Sequence, residues 1–86
     1  MAVYSIFFKD SVRKDLDAIP KDDLKRVIVR IGNLADDPRP VGCEKLSGQE
    51  KYRVRQGKYR IIYSIQDREL TVWVVKVRHR HEVYRS

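Results

Sequence analysis

Residues 52–63 alternate charge and bulk in two short runs. Tyr52, Arg53, Val54 and Arg55 form the first, and Lys58, Tyr59, Arg60, Ile61, Ile62 and Tyr63 the second, with Gln56 and Gly57 between them. A period of two is the signature of a strand with two unlike faces, and a two-residue link reads as a tight hairpin. A turn at Gln56-Gly57 pairs Arg55 with Lys58, Val54 with Tyr59, Arg53 with Arg60 and Tyr52 with Ile61. Cross-strand partners share a face. Arg53, Arg55, Lys58 and Arg60 therefore point one way, and Tyr52, Val54, Tyr59, Ile61 and Tyr63 the other. Like charges set opposite each other cost roughly 0.2–1 kcal/mol per pair. With no negative residue expected opposite them, the counterpart is an anion brought from outside the chain.

The rest of the composition fits this reading. At 86 residues the chain is one small domain, and 42% hydrophobic content suits a folded one. A core of that size is marginal, so stability that depends on a partner is expected. The net charge of +7 favours nucleic acid or an acidic protein as that partner. Cys43 is the only cysteine, which excludes an internal disulfide and points to a reducing compartment, the cytoplasm. No base stands near it in sequence to make it a catalytic thiol, and it reads as a bystander in a Gly-rich loop. The first ten residues lack the basic leader and long apolar stretch of a secretory signal. No apolar run approaches the roughly 20 residues of a membrane span.

Along the chain, residues 3–8 read as a strand. Asp10 or Ser11 caps a short helix to about Ile19, with Val12, Leu16 and Ile19 on one side, and Pro20 ends it. A second helix opens at Lys21-Asp22-Asp23 and carries Leu24, Val27, Ile28, Ile31 and Leu34 at helical spacing, stopping near Asp37-Pro38. Residues 38–50 are a loop punctuated by Pro and Gly. Three strands follow, at about 51–56, 58–66 and 69–78, with the second turn at Asp67-Arg68. The last is apolar on both faces and belongs inside the sheet. Trp73, Val75 and Ile62 are expected on the arginine face. Strict alternation would send Arg80 into the core, and a bulge or bend near Lys76–Arg78 would correct that. The fold class is α+β: a small, mostly antiparallel β-sheet in the order β-α-α-β-β-β plus a C-terminal tail, with the αα-hairpin packed on one face.

Arginine dominates the hairpin face. Its guanidinium stays protonated and its fork matches two phosphate oxygens at once. Converging arginines suit the charged phosphorane-like species of phosphodiester cleavage. They also suit a solvated face that docks an acidic protein, and the hairpin alone leaves both readings open. An unperturbed histidine titrates near neutrality, which makes His79 and His81 candidates for proton transfer. No Cys, Asp or third His completes a metal ligand set with them. Tyr84 is either an apolar anchor or a group that stacks on a base or donates to a phosphate. Tyr52, Tyr59 and Tyr63 read as core. No P-loop, dinucleotide fingerprint, HExxH or Ser/His/Asp arrangement occurs.

The loop PRPVGCEKLSG at 38–48, the hairpin elements YRVR at 52–55 and GKYRIIY at 57–63, and the tail VRHRHEVYR at 77–85 together resemble the RelE/ParE superfamily of type II toxin–antitoxin toxins. They are most similar to its RelE branch. The likeness covers essentially the whole chain. It lies in the ordered set of elements, since no single motif is diagnostic.

The resemblance implies a RelE-like fold and a toxin that inhibits translation. The activity implied is that of a ribosome-dependent, metal-independent mRNA endoribonuclease, or mRNA interferase. It cuts in the ribosomal A site by attack of a ribose 2′-OH on the adjacent phosphate. Carried over by position, Arg60 would hold the scissile phosphate, Arg80 would stabilise transition-state charge, and Tyr84 would stack on a base or assist proton transfer. Arg53 and Arg55 stand where the best-known members have lysine. Arginine effectively cannot act as a base, so proton transfer falls to His79, His81, Glu82 or Tyr84, or is subordinate to charge stabilisation. Lys51, Lys58, Arg78, His79 and His81 complete the RNA-binding candidates. No cofactor or metal is implied. The implied partners are a small antitoxin with an acidic or amphipathic wrapping segment, mRNA, and the 70S ribosome with its 16S rRNA. Promoter DNA is reached only through the antitoxin complex, and no membrane is involved. Two other readings share the scaffold, a ParE-like DNA gyrase poison and a non-catalytic binding module.

Overall fold

A computed structural model describes residues 3–79. The elements are β1 (Ser5–Phe8), α1 (Val12–Asp17), α2 (Lys21–Asn33), β2 (Glu44–Lys45), β3 (Lys51–Gln56), β4 (Tyr59–Gln66) and β5 (Thr71–His79). They build one five-stranded sheet in the order β1-β5-β4-β3-β2. Neighbours pair antiparallel except β1, which runs parallel to β5. The α+β architecture with a helix pair on one face is therefore as the sequence implies. Strand β5 lies inside the sheet, as its two apolar faces require. The chain adds one element the sequence did not announce, the two-residue β2 within the 38–50 loop.

Both helices cover the same side. Val12 of α1, Val27 and Ile31 of α2, and Ile19 and Leu34 just beyond the two helices pack with Val54, Tyr59, Ile61, Tyr63, Val72, Val74 and Val77 in one buried cluster. Helix α1 is shorter than periodicity suggests, and Ser11 at its N-cap makes no side-chain cap bond. Helix α2 starts after Pro20, whose extended ψ of 148° is what an N-cap position needs. It ends at Asn33 rather than near Asp37-Pro38, and turns fill residues 34–36.

The hairpin register differs from the sequence expectation. The pairs are Gln56 with Tyr59, Arg55 with Arg60, Val54 with Ile61, Arg53 with Ile62 and Tyr52 with Tyr63. The central turn residues are thus Gly57 and Lys58, not Gln56 and Gly57. The reason is local: Gly57 has φ of +58°, and a two-residue turn with glycine first and an ordinary residue second is the II′ type that matches strand twist. The shift moves each partner by two residues, so the faces survive while the pairs Arg55–Lys58 and Arg53–Arg60 do not. The next turn is also longer than Asp67-Arg68. It spans 67–70, with the Leu70 amide donating to the Asp67 carbonyl at 3.2 Å, and Leu70 adopts φ of +49°.

Strand β5 carries the bulge that alternation demanded, slightly earlier than expected. Ile62 pairs with Lys76 but Tyr63 pairs with Val74, which leaves Val75 as the extra residue. From there the side-chain parity of β5 reverses. Val77 is buried and Lys76 and Arg78 turn to the face opposite the helices. Strand β1 ends at Phe8, beside Val74, so the edge of β5 beyond that point has no strand partner among the described residues. Asp15 of α1 fills part of the gap, its Oδ2 accepting the Val77 amide at 3.1 Å.

Candidate functional site

The helix-free face of the sheet can be read as successive rows, because side chains of paired residues stand at one height. The row nearest the hairpin tip is Arg55 on β3, Arg60 on β4 and Arg78 on β5. Three guanidinium-bearing residues thus stand abreast on three adjacent strands. The next row holds Glu44, Arg53, Ile62 and Lys76, and the one after it Lys51, Ser64, Trp73 and Phe7. Lys58 is exposed in the turn at the tip. Of the residues singled out from sequence, the fold gathers Arg53, Arg55, Arg60, Arg78 and Lys51 on this face. It turns His79 the other way. Its ring meets Tyr59 edge-on at 5.3 Å and 89°, beside Lys14 and Asp15 of α1, in a cavity of about 270 Å³. Arg80, His81, Glu82 and Tyr84 lie outside the described residues.

Two side chains enter the face without having been expected. Lys76 arrives through the bulge. Glu44 arrives through β2, pairing with Arg53 and accepting from its Nη2 at 2.8 Å. The expectation that nothing negative would stand opposite the arginines is therefore corrected. The Arg53 hydrogen bond first, then the charge of Arg53, and then those of Arg55 and Arg60 hold the Glu44 carboxyl below its usual range. One carboxylate among Arg53, Arg55, Arg60, Arg78 and Lys76 still leaves a large excess of positive charge. The Nε atoms of Arg53 and Arg78 are buried with no hydrogen-bond partner among the described residues. Unsatisfied buried donors are costly, and here they line a cationic surface.

The tyrosines divide as core residues should, with one extension. Tyr63 is fully buried, and its hydroxyl donates to the Pro38 carbonyl at 2.7 Å, with Cys43 Sγ 3.3 Å from the same oxygen. Burial, with Cys43 adding to it, pushes its ionisation upward. Cys43 is accordingly half-buried against the core, where it helps seat the 38–50 loop. Tyr52 stacks on Tyr63 at 5.9 Å, and Arg39 lies over the Tyr52 ring at 5.2 Å. Arg39 also grips both oxygens of Asp67, at 3.2 and 2.9 Å, and the Tyr4 hydroxyl donates to the same carboxylate at 2.8 Å. This clamp ties the loop that delivers Glu44 to the β4–β5 turn and to the start of β1. Among the described residues, no group of three or more His, Cys, Asp or Glu side chains is placed to hold a metal ion, and no helix is long and apolar enough to cross a membrane.

Chemically, a cation-lined sheet face of this kind can bind phosphate oxygens and oppose negative charge that develops on them. Residues 6–84 match the family model described as the ParE toxin of the type II toxin–antitoxin system parDE. Toxin RelG of Mycobacterium tuberculosis is 34% identical, over 95% of this chain and 97% of RelG. Among solved structures, a chain of the toxin–antitoxin complex RelBE2 from Mycobacterium tuberculosis superposes with a TM-score of 0.81 at 30% identity, covering 91% of this chain and 99% of that one. A chain of the archaeal RelE–RelB complex from Pyrococcus horikoshii does so with a TM-score of 0.81 at 29% identity, covering 93% and 97%. A family match across nearly the whole sequence, a relative covered over nearly all of its length and a shared fold lead to one placement: the chain belongs to the RelE/ParE superfamily of type II toxin–antitoxin toxins.

Proposed function

We propose that this toxin is a ribosome-dependent mRNA endoribonuclease whose catalysis rests on the arginine row. The observation that carries the reading is the alignment of Arg55, Arg60 and Arg78 at one height across three strands. A fold gains nothing from three like charges abreast unless an anion joins them. In the proposed step a ribose 2′-oxygen attacks the adjacent phosphorus as its proton departs. The 5′-oxygen leaves with a proton, giving a 2′,3′-cyclic phosphate and a free 5′-hydroxyl. The phosphorane between them carries extra negative charge, and preorganised guanidinium donors oppose it without reorganising. Arg60, in the middle of the row, is assigned to the scissile phosphate, flanked by Arg55 and Arg78. Arg53, held by Glu44, supports the neighbouring phosphate. Proton transfer is assigned to the tail, where His81, Glu82 and Tyr84 are candidates and Arg80 adds charge, all outside the described residues. Guanidinium groups rather than a metal supply the charge, so a chelator is expected to leave cleavage unchanged.

The partners follow. The message in the ribosomal A site is the substrate, with 16S rRNA as the surrounding surface and the cytoplasm as the place of action. The solved relatives are toxin–antitoxin complexes, which supports a cognate antitoxin for this chain, with promoter DNA reached through it. A second reading has one observation in its favour: the matched family model is described as ParE. Under that reading the chain poisons DNA gyrase and cuts nothing. A cell-free translation extract separates the two. The nuclease arrests synthesis and yields new 5′ ends within translated messages, in phase with the reading frame. Intact messages together with altered plasmid supercoiling would replace this reading with the gyrase one.

A further inference from the structure

The open face does not end at the arginines. Trp73 on β5 and Phe7 on β1 are register partners on that same face, and their rings stack at a centroid distance of 5.1 Å and an interplanar angle of 28°. Both are exposed, Trp73 to 37% and Phe7 to 46%, while other aromatic rings on the opposite face, those of Tyr59 and Tyr63, are buried. A stacked pair of large rings in solvent forfeits most of the benefit of burying apolar area. Polar and cationic groups surround it. Ser64 and Lys51 complete its row, and Ile62, Lys76 and Arg53, the last paired with Glu44 at the end of that row, lie between it and the arginines. The surface therefore runs without interruption from an aromatic platform to a phosphate-binding row.

We infer that Trp73 and Phe7 form a base-stacking platform for single-stranded RNA lying across this face, several nucleotides from the linkage held by the arginines. The spacing suits a strand. Ser64, level with Trp73, is four residues along β4 from Arg60, about 13 Å at roughly 3.3 Å per residue. That distance corresponds to about four stacked nucleotides at about 3.4 Å per step, and to fewer in an extended strand. The chemistry is that of single-strand recognition, in which a cationic track holds the backbone and an aromatic face takes a base of any identity. A base stacked at the platform would fix the register of the message against Arg60. The inference rests on the ribonuclease reading for the polymer's path, but it addresses a separate contact.

Trp73 is the only tryptophan in the chain, so its fluorescence reports this platform alone. The probes are a short 2′-O-methyl RNA strand, which cannot be cut by 2′-OH attack, and an abasic strand of equal length and charge. The base-bearing strand should quench Trp73 and the abasic one should not. Trp73→Ala should weaken RNA binding on the order of tenfold, and Trp73→Phe should retain most of it. Equal quenching by both strands, or unchanged affinity in Trp73→Ala, overturns the inference. So does quenching by an acidic peptide where the RNA strand gives none, since the platform would then serve a protein. If circular dichroism shows Trp73→Ala unfolded, the comparison of the two strands on the native chain decides. Base-dependent quenching in a chain that leaves messages whole still supports the platform. Frame-phased cleavage without base-dependent quenching keeps the nuclease and removes the platform.

Discussion

Arg78 is the residue whose removal most directly tests the row. It completes the set from a different strand than the hairpin, and its Nε has no partner among the described residues to rearrange. Arg78→Ala is expected to lower message cleavage on the order of 10²–10³-fold, the usual loss for one preorganised donor, with the circular dichroism spectrum unchanged. Mapping of 5′ ends after induction checks it. Glu44 acts in the opposite direction. Its carboxylate occupies Arg53 at 2.8 Å, where it stands in for a phosphate oxygen. Glu44→Gln should tighten binding of single-stranded RNA and steepen its salt dependence, with a log–log slope more negative by about 0.7 for the one further phosphate engaged. Titrations at several salt concentrations measure both. An unchanged slope would mean that Arg53 does not reach the strand.

At the level of elements, the turns carry the conformational demands. Gly57 holds φ of +58° with open space where a Cβ would stand, so Gly57→Ala is expected to cost about 1 kcal/mol through backbone strain alone. Leu70 meets a similar demand at φ of +49° without being glycine. Leu70→Gly should therefore recover up to about 1 kcal/mol, read as a rise in the midpoint of thermal or denaturant unfolding. These turns also show where the sequence was legible. The alternation of Tyr52, Val54, Ile61 and Tyr63 placed the strand residues of the hairpin on their correct faces, because a pairing error of two residues preserves parity, while Lys58, expected beside the arginines, fell in the turn. The pairing itself was missed, since the choice between Gln56-Gly57 and Gly57-Lys58 turns on which residue takes the positive φ. The bulge in β5 was foreseeable because strict alternation from Val72 and Val74 would carry Arg80 onto the core face. Its position at Val75 depends on how Val74 and Val77 pack beneath α1. Glu44 had no signal of its own. A two-residue strand has no periodicity, and only the folded loop brings it beside Arg53.

For the molecule as a whole, the decisive long-range tie outside the core is the clamp of Arg39, Asp67, Tyr4 and Tyr52. The Arg39 hydrogen bonds first, then the Tyr4 hydroxyl, hold the Asp67 carboxyl below its usual range. A carboxyl depressed in the folded state stabilises fully above its unfolded value, and that contribution is lost as pH falls through the folded value. The stability difference between the native chain and Asp67→Asn should thus be constant near neutrality and shrink below about pH 4, as urea unfolding across that range will register. An increase on acidification would contradict the pairing. The order of assembly follows from topology. Arg55 and Arg60 meet within one local hairpin, and Arg78 joins them through the next one, β4–β5, while the contact between the two ends of the chain is the parallel pairing of β1 with β5. Closing that long loop is the slow, entropically expensive part of such a fold. A growing polypeptide that stops anywhere short of residue 78 holds two of the three charges at most, so the row is whole only once nearly all of the domain has been made.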